Sequence, residues 1–380
     1  MSVLGPGATI GILGAGQLGR MTALAARNLG YRIAVLANGP DDPAVAVADR
    51  VFEGGLDAVD AARELGRASD VVTLEVEHVA LAAAEAAAEH APVRPGLPAL
   101  GVAQDRAAEK RFVQDAGVPT APFRVVRSAA EARAAQAEVG PDVVLKTTRE
   151  GYDGKGQRRV SDGDAAARAF EELGAAELVV EALVDLDHEV SVIVARGLDG
   201  ATVAYGPLRN DHANHILDVT VHPGVAPDSP LGPRAIDVAT RLATELDVVG
   251  LLCVEFFVTR GGELLVNEMA PRPHNSGHVT MDACATSQFE QVVRAICGLP
   301  LGAVTWRSPV AMANLLGDLW QDGEPAWPRA LALPDVHLHL YGKAEARPGR
   351  KMGHLNVLRA TAEAAAEAAR HARAETRPPR

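Results

Sequence analysis

The sequence predicts a chain of α/β and α+β class, with an N-terminal doubly wound parallel sheet, a small α+β lid and a C-terminal antiparallel sheet. Three observations carry this expectation. The first third alternates short apolar strands with helical runs, the βαβ rhythm of a parallel sheet. A strand ending near Lys146 then leads into a loop that holds Gly151, Gly154 and Gly156. From Glu189 onward, apolar runs follow one another through turns, as antiparallel strands do.

Each element has its own signal. ATIGILGAG reads as a strand and tight turn, QLGRMTALAARNLG as a helix and YRIAVLA as a second strand. ASDVVTLEVEHV holds a third strand, and LAAAEAAAEHA is a helix. GLPALGVAQDRAAEKRFVQDAGVPT is a helical connection. DVVLKTT and ELVVEAL are strands of the lid, with REGYDGKGQ between them. EVSVIVAR, ATVAYG and HILDVTVH are antiparallel strands, PRAIDVATRLATEL is a helix, and LLCVEFFVT with ELLVNEMA is a hairpin. VHLHLYGKAEARPGRKMGHLNVL suggests a small β-structured tail domain. ATAEAAAEAARHARAETRPPR reads as an alanine-rich helix that frays into a charged end. The domains are expected at 1–104, 105–188, 189–305 and 306–380.

At 380 residues, 48% hydrophobic and 23% charged, the chain has the ordinary composition of a soluble protein. Its net charge of −12 argues against nonspecific nucleic-acid binding. No uncharged apolar run of about 18 residues marks a membrane span. The opening MSVLGPGATIGILGAG lacks the basic n-region of a secretory signal. Cys253, Cys284 and Cys297 lack CxxC spacing, which suggests buried, reduced thiols in a cytoplasmic protein.

Gly14, Gly16 and Gly19 spell GxGxxG between a strand and a helix, a spacing that lets phosphate approach a helix N-terminus. A dinucleotide site also wants an acid about 20 residues on, closing the second strand. That strand ends in Leu36, Ala37 and Asn38, so an NAD-binding protein is a disfavoured alternative. The loop remains a candidate for a phosphate or a small polar molecule, or is simply a tight turn.

Gly261–Gly262 suit a two-residue hairpin turn, and centring the turn between them pairs Glu255 with Glu268. Directly opposed side chains lie about 5 Å apart at Cβ, where like charges are destabilising. Two such carboxylates share a proton or hold a cation, and hard oxygen donors suit Mg2+ alongside substrate phosphates. Strict alternation points Asn267 to the opposite face. The stretch NEMAPRPHNSGH adds Arg272, His274, Asn275 and His278, groups for both a cation and an anion.

Around Lys146 no GxxxxGK[ST] motif is present. Glycine-rich backbone still lies well over phosphates, with lysines as point charges and glycines as hinges. A lysine strand, a glycine lid and a carboxylate hairpin make a site for MgATP without a P-loop.

That order resembles the ATP-grasp superfamily and, within it, the N5-carboxyaminoimidazole ribonucleotide synthetase family. The likeness rests on GILGAGQLGRM, TLEVEHV, GYDGKGQ, VEFFV, VNEMAPRPHNSGH and RPGRKMGHLN, which run from Gly11 to Asn356. It implies an ATP-grasp fold and a homodimer that uses ATP and Mg2+. It also implies a reaction of purine biosynthesis. Carboxyphosphate forms from ATP and bicarbonate, and the carboxyl group moves to the amine of 5-aminoimidazole ribonucleotide. The product would pass to a separate mutase.

By matched motif, the resemblance gives ATP contacts to Arg106, Lys146 and the loop Gly151, Tyr152, Asp153, Gly154, Lys155, Gly156 and Gln157. Glu181, Ala182, Leu183 and Val184 would meet adenine, and Glu189 the ribose. His212 is a further nucleotide contact, with His215 as rival because RNDHANHIL departs from the family's run there. Glu255 and Glu268 would bind Mg2+ with help from Asn267, and Asn267 and Glu268 would also contact ATP. Arg272, His274 and Asn275 would serve catalysis at the anion end, where a guanidinium fork matches a planar carbonate. The ribonucleotide would meet Gly16, Gln17, Leu18, Glu75, Asp153 and Arg272. Its phosphate would meet Lys343, Arg350 and Lys351, in a basic cluster that includes Arg347. His278 is either a packing or a supporting histidine. A formate-dependent ATP-grasp ligase acting on glycinamide ribonucleotide is the alternative, but RPHNSGH and RPGRKMGHLN favour the carboxylating relative.

Overall fold

Short apolar runs joined through helices leave the N-terminal strands only parallel partners. In the computed structural model, which describes residues 3–149, 151 and 156–377, these strands form the first of three sheets. The expected contacts Tyr152, Asp153, Gly154 and Lys155 lie outside the described residues. The parallel sheet runs in the order β3 (Arg50–Glu53), β2 (Arg32–Ala37), β1 (Thr9–Leu13), β4 (Val71–Leu74), β5 (Val93–Arg94). Central β1 is apolar on both faces, and Ile10, Ile12 and Leu13 are buried. The short β3 and β5 carry too little apolar pattern to stand out in the sequence.

The glycine turn after β1 opens the helix Gln17–Asn28, and an anion already belonging to the chain sits at that helix start. Glu75, just past β4, accepts from the backbone N–H groups of Gly16 and of Leu18, the latter at 3.1 Å. Burial pushes the Glu75 carboxyl up, and the N–H groups of Gly16, Gly19 and Leu18 draw it back only in part. The glycines therefore make room for a carboxylate at the place where a dinucleotide phosphate would bind.

The second sheet is antiparallel, in the order β6 (Phe123–Val126), β9 (Leu178–Ala182), β7 (Val143–Thr147), β8 (Gln157–Val160). Alternation splits it cleanly. Val143, Leu145, Leu178 and Val180 pack on the helices Ala129–Val139 and Gly163–Leu173. Lys146, Val179 and Glu181 face the other way, where Val179 meets Ala107 of the helix Arg106–Asp115.

The third sheet has eight strands: β14 (Leu264–Ala270), β13 (Gly250–Thr259), β10 (Leu186–Arg196), β11 (Thr202–Ala213), β12 (Ile216–His222), β15 (Val310–Leu316), β17 (Lys351–Leu358) and β16 (Val336–Leu340). The strands of the 306–380 region continue this sheet, because β12 pairs with β15 through Val219↔Ala313 and its neighbours. The alanine-rich tail forms a helix, Ala362–Glu375, as the sequence predicts, and the charged end beyond Arg377 lies outside the described residues. The helix packs onto the sheet, and its small side chains are the reason. Ala365, Ala369 and Ala372 pack closely against β15 and β17, and Arg373 grips Asp218. Cys253, Cys284 and Cys297 are buried free thiols. Among the described residues, no helix is long and apolar enough to cross a membrane.

A Cβ at Gly16 would stand 2.3 Å from Glu75 Oε1, whereas one at Gly5 would meet nothing within 4 Å. Gly16→Ala should lower the unfolding free energy by about 1–3 kcal/mol, as overpacking does. Gly5→Ala should change it by less than about 0.5 kcal/mol. Urea unfolding of both variants checks this contrast.

Candidate active site

The turn that places the acidic pair is longer by one residue than the glycines suggest. Arg260, Gly261 and Gly262 form a three-residue loop, with Gly262 at φ +79° and the Thr259 N–H donating to the Glu263 carbonyl at 3.0 Å. Pairing near the loop is thereby shifted, so Phe256 faces Val266. A bulge at Asn267 absorbs the offset, and Glu255 again faces Glu268. The extra residue of a bulge leaves strict alternation. Asn267 accordingly lines the same cleft as Glu255 and Glu268, not the opposite face that alternation assigns it.

That cleft, of about 610 Å³, gathers most of the candidate residues. The lid side contributes Lys146, Gly151 and Gln157, and the connecting helix contributes Arg106. The large sheet contributes Glu189, His212 and the acidic pair, followed by Arg272, His274 and Asn275 beyond β14. Lys351 enters from β17. His215 also lines the cleft, in the β11–β12 turn at φ +64°.

The opposed carboxylates are held unequally. His274 Nε2 lies 2.8 Å from Glu255 Oε1. Burial works to raise the Glu255 carboxyl, but His274 outweighs it and holds it below the ordinary range. Glu268 is pushed up by burial in the cleft and by Glu255, against the pull of Arg106 at 3.5 Å and of Lys146. Glu189 is raised to about 7 by burial and by both of these acids. His212 Nδ1 stands 3.5 Å from Glu189 Oε2. Burial disfavours the charged His274 ring, but Cys253 and Glu255 outweigh it and keep its pKa up at about 10.

Two donor sets for a cation follow. Glu255, Glu268 and Asn267 offer hard oxygens on one wall, which fits Mg2+. Glu189, His212 and Glu255 each place one ligand atom within 4.8 Å of the others.

At the anion end, the Arg272 fork is engaged from the side by Glu77, with Nη2 2.9 Å from Oε1 and Nε on Oε2. Burial would raise Glu77, yet Arg272 holds it down at about 2. Asn275 is different, because both its amide oxygen and nitrogen are buried without a hydrogen-bond partner among the described residues. His278 is buried beside the cleft. Its ring stacks on His354 at 4.6 Å, and its Nδ1 meets Gln288 Nε2 at 3.2 Å. The same Gln288 nitrogen also donates to the His274 carbonyl at 2.7 Å.

On the lid side, Lys146 Nζ donates to Glu181 Oε2 at 3.1 Å. The same oxygen lies 3.2 Å from Lys110 Nζ. Ala182 ends β9, and Leu183 and Val184 form the link to β10, the Leu183 N–H donating to the Asp142 carbonyl at 2.9 Å. Sequence reasoning missed Lys110, Glu109 and Glu77. The first two had a legible signal: Arg106, Glu109 and Lys110 share one helix face by i, i+3, i+4 spacing. Glu109 accepts from the Met269 N–H, next to Glu268, and burial and Glu268 push it up to about 8.

Gly16, Gln17, Leu18 and Glu75 lie just past the C-terminal ends of the central strands β1 and β4 and are joined to the cleft through the basic cluster. Lys343 feels the charge of Glu75 and donates to the Lys351 carbonyl at 2.7 Å. Burial and Arg350 lower Lys343 to about 8. Arg350 donates to the Glu345 carbonyl at 2.7 Å.

Comparison with known proteins matches the whole length of this arrangement. A ribonucleotide synthetase preATP-grasp domain matches residues 7–104, an ATP-grasp domain 111–289 and a phosphoribosylaminoimidazole carboxylase C-terminal domain 310–368. The N5-carboxyaminoimidazole ribonucleotide synthase of Bacillus subtilis is 40% identical over 361 residues, 94% of this chain and 93% of the relative. That of Brucella melitensis is 44% identical over 358 residues, covering 94% and 98%. A crystal structure of an N5-carboxyaminoimidazole ribonucleotide synthetase with ADP has a TM-score of 0.92 at 43% identity, covering 98% of both chains. The Aspergillus clavatus N5-carboxyaminoimidazole synthase in complex with ADP and 5-aminoimidazole ribonucleotide has a TM-score of 0.86 at 29% identity, covering 96% of this chain and 98% of that one.

The His274–Glu255 contact carries a pH signature. The folded pKa of about 10 lies above the ordinary 6.5, so its stabilisation is complete below pH 6.5 and lost as pH rises through about 10. His274→Asn should cost about 3 kcal/mol near neutral pH, as breaking a buried pair does, and much less well above pH 10. Denaturant unfolding at both pH values measures the difference, and an equal cost at both would assign it to packing alone.

Proposed function

The chain belongs to the N5-carboxyaminoimidazole ribonucleotide synthase family of ATP-grasp enzymes, and on that footing we propose that it carboxylates 5-aminoimidazole ribonucleotide with bicarbonate and ATP. One observation supports this reading above the others. A single cleft joins an acidic, lysine-bearing wall suited to a metal-bound triphosphate to a wall bearing His274, Arg272 and an unpartnered Asn275 amide, suited to a small anion.

A bicarbonate oxygen attacks the γ-phosphorus, the bond to the β-phosphate oxygen breaks, and ADP leaves. The resulting carboxyphosphate gives its carboxyl carbon to the ribonucleotide amine, which loses a proton as phosphate departs. Lys146 and Arg106 act as fixed positive charges toward the phosphates. Glu255, Glu268 and Asn267 would hold Mg2+, which when bound would neutralise phosphate charge. Asn275 orients the bicarbonate through its free amide, and the charged His274 and Arg272 favour the anion electrostatically. Glu77 fixes the Arg272 plane, so the guanidinium acts by charge from an anchored position. Gly16, Leu18 and Glu75 shape the ribonucleotide end, and Lys343, Arg350 and Lys351 supply positive charge for its phosphate. We extend the proposal to a cytoplasmic homodimer, in line with the buried free thiols, whose product passes to a separate mutase.

The direct test is ADP release in the presence of the ribonucleotide. Bicarbonate should support it, with labelled carbon appearing on the product. Support by formate with glycinamide ribonucleotide would identify the other ATP-grasp ligase instead.

Two variants divide the cleft. Glu268→Gln should reduce turnover at least about a hundredfold without unfolding, because a charged metal ligand is lost. Retained activity at saturating Mg2+ would remove Glu268 from the ligand set. Arg350→Ala should raise the half-saturating ribonucleotide concentration about tenfold or more, the value of one charge-assisted contact, with ATP saturation nearly unchanged. Steady-state kinetics in both substrates measure each variant.

A further inference from the structure

We propose that Lys110 is a positioning residue that frees Lys146 for the triphosphate by holding the charge of Glu181 in its place. The inference rests on the reading of Lys146 as a phosphate contact, and it starts from one atom. Glu181 Oε2 is shared by two ammonium groups, Lys146 at 3.1 Å and Lys110 at 3.2 Å. The two lysines differ in everything else. Lys146 lines the cleft, and its side chain is 13% exposed. The Lys110 side chain is 1% exposed and held on its other sides. It donates to Thr120 Oγ1 at 3.1 Å, and the Thr120 hydroxyl donates to the Val266 carbonyl at 2.8 Å. The Phe123 ring lies 5.9 Å from Nζ.

Glu181 is itself 2% exposed. A carboxylate buried that deeply is costly without a partner. If Lys146 were its sole partner, a triphosphate would have to draw Lys146 away and leave the charge uncompensated. With Lys110 fixed on the same oxygen, Lys146 turns to the phosphates while the carboxylate stays paired. Burial works to raise the Glu181 carboxyl, but Lys146 and Lys110 together outweigh it and hold it below the ordinary range. Lys110 does not line the cleft, and its direct contact toward Lys146 runs through the shared Glu181 oxygen.

The experiment is a double-variant cycle read in steady-state kinetics. Lys110→Met should raise the KM for ATP roughly tenfold or more, because the whole Glu181 charge then holds Lys146. The KM for the ribonucleotide should stay within about twofold. Adding Glu181→Gln to Lys110→Met removes the charge that restrains Lys146. The double variant should match Glu181→Gln alone in ATP KM to within about twofold, because Lys110 then has no charge to hold. A merely structural Lys110 would instead add its full penalty to that of Glu181→Gln. A double variant about tenfold worse toward ATP than Glu181→Gln, or equal rises in both KM values for Lys110→Met, would overturn the proposal. If Lys110→Met does not fold, the comparison of the double variant with Glu181→Gln decides in the same way, since the double variant leaves neither buried charge unpaired. Lys146→Ala, measured alongside, separates the two readings. An unchanged ATP KM there would remove Lys146 from the phosphates, and the proposed nucleotide site with it.

Discussion

Two carboxylates facing one another across a hairpin are the constraint to which the cleft is built. Glu255 and Glu268 are direct partners, and like charges so placed oppose the pairing that brings them together. The chain meets this with different counter-charges on each side. His274 takes Glu255, while Arg106 stands off Glu268 at 3.5 Å and leaves it available. The acids are therefore not equivalent. The His274 ring holds Glu255 below the ordinary carboxylate range against the effect of burial, while burial and Glu255 push Glu268 above it.

The helix Arg106–Asp115 does much of the remaining assembly. Three consecutive members of one face reach two different elements: Arg106 and Glu109 meet Glu268 and the Met269 N–H of β14, and Lys110 meets the lid strand β9. A helix interior is a stiff support, so these contacts fix the acidic wall and the lysine wall relative to one another. The glycine turn after β1 uses the same economy. Its N–H groups bind a carboxylate from just past the neighbouring strand β4, which ties the C-terminal ends of two central strands together.

Much of this was legible because the chemistry-bearing strings are local. The βαβ rhythm, the lysine strand and the acidic hairpin each show within a short window. The Glu255–Glu268 pairing follows from turn position alone, yet it holds only because two offsets cancel: a third loop residue and a bulge at Asn267. Symmetry of the glycines hid both, and with them the face on which Asn267 lies. Glu77 and the sharing of Glu181 were out of reach for another reason. Glu77 is 195 positions from its partner Arg272, and only the packing of separate sheets brings such residues together. The helix of the alanine tail was legible in its composition, but its docking was not: small residues look weakly held in isolation, while against a sheet they permit the closest approach.

Sequence modules and mechanical modules do not coincide in this chain. The C-terminal segment has a family model of its own at residues 310–368, as an independent building block would. In space it supplies β15, β17 and β16, which complete a sheet that begins at the acidic hairpin. Excising it would strip β12 of its hydrogen-bonded neighbour and leave a raw ladder edge, the surface on which strands of other molecules recruit one another. Such a boundary can be crossed by gene fusion or divergence of sequence, but not by removal. Whatever variation this lineage explores at its C-terminus must keep the seam between β12 and β15 intact.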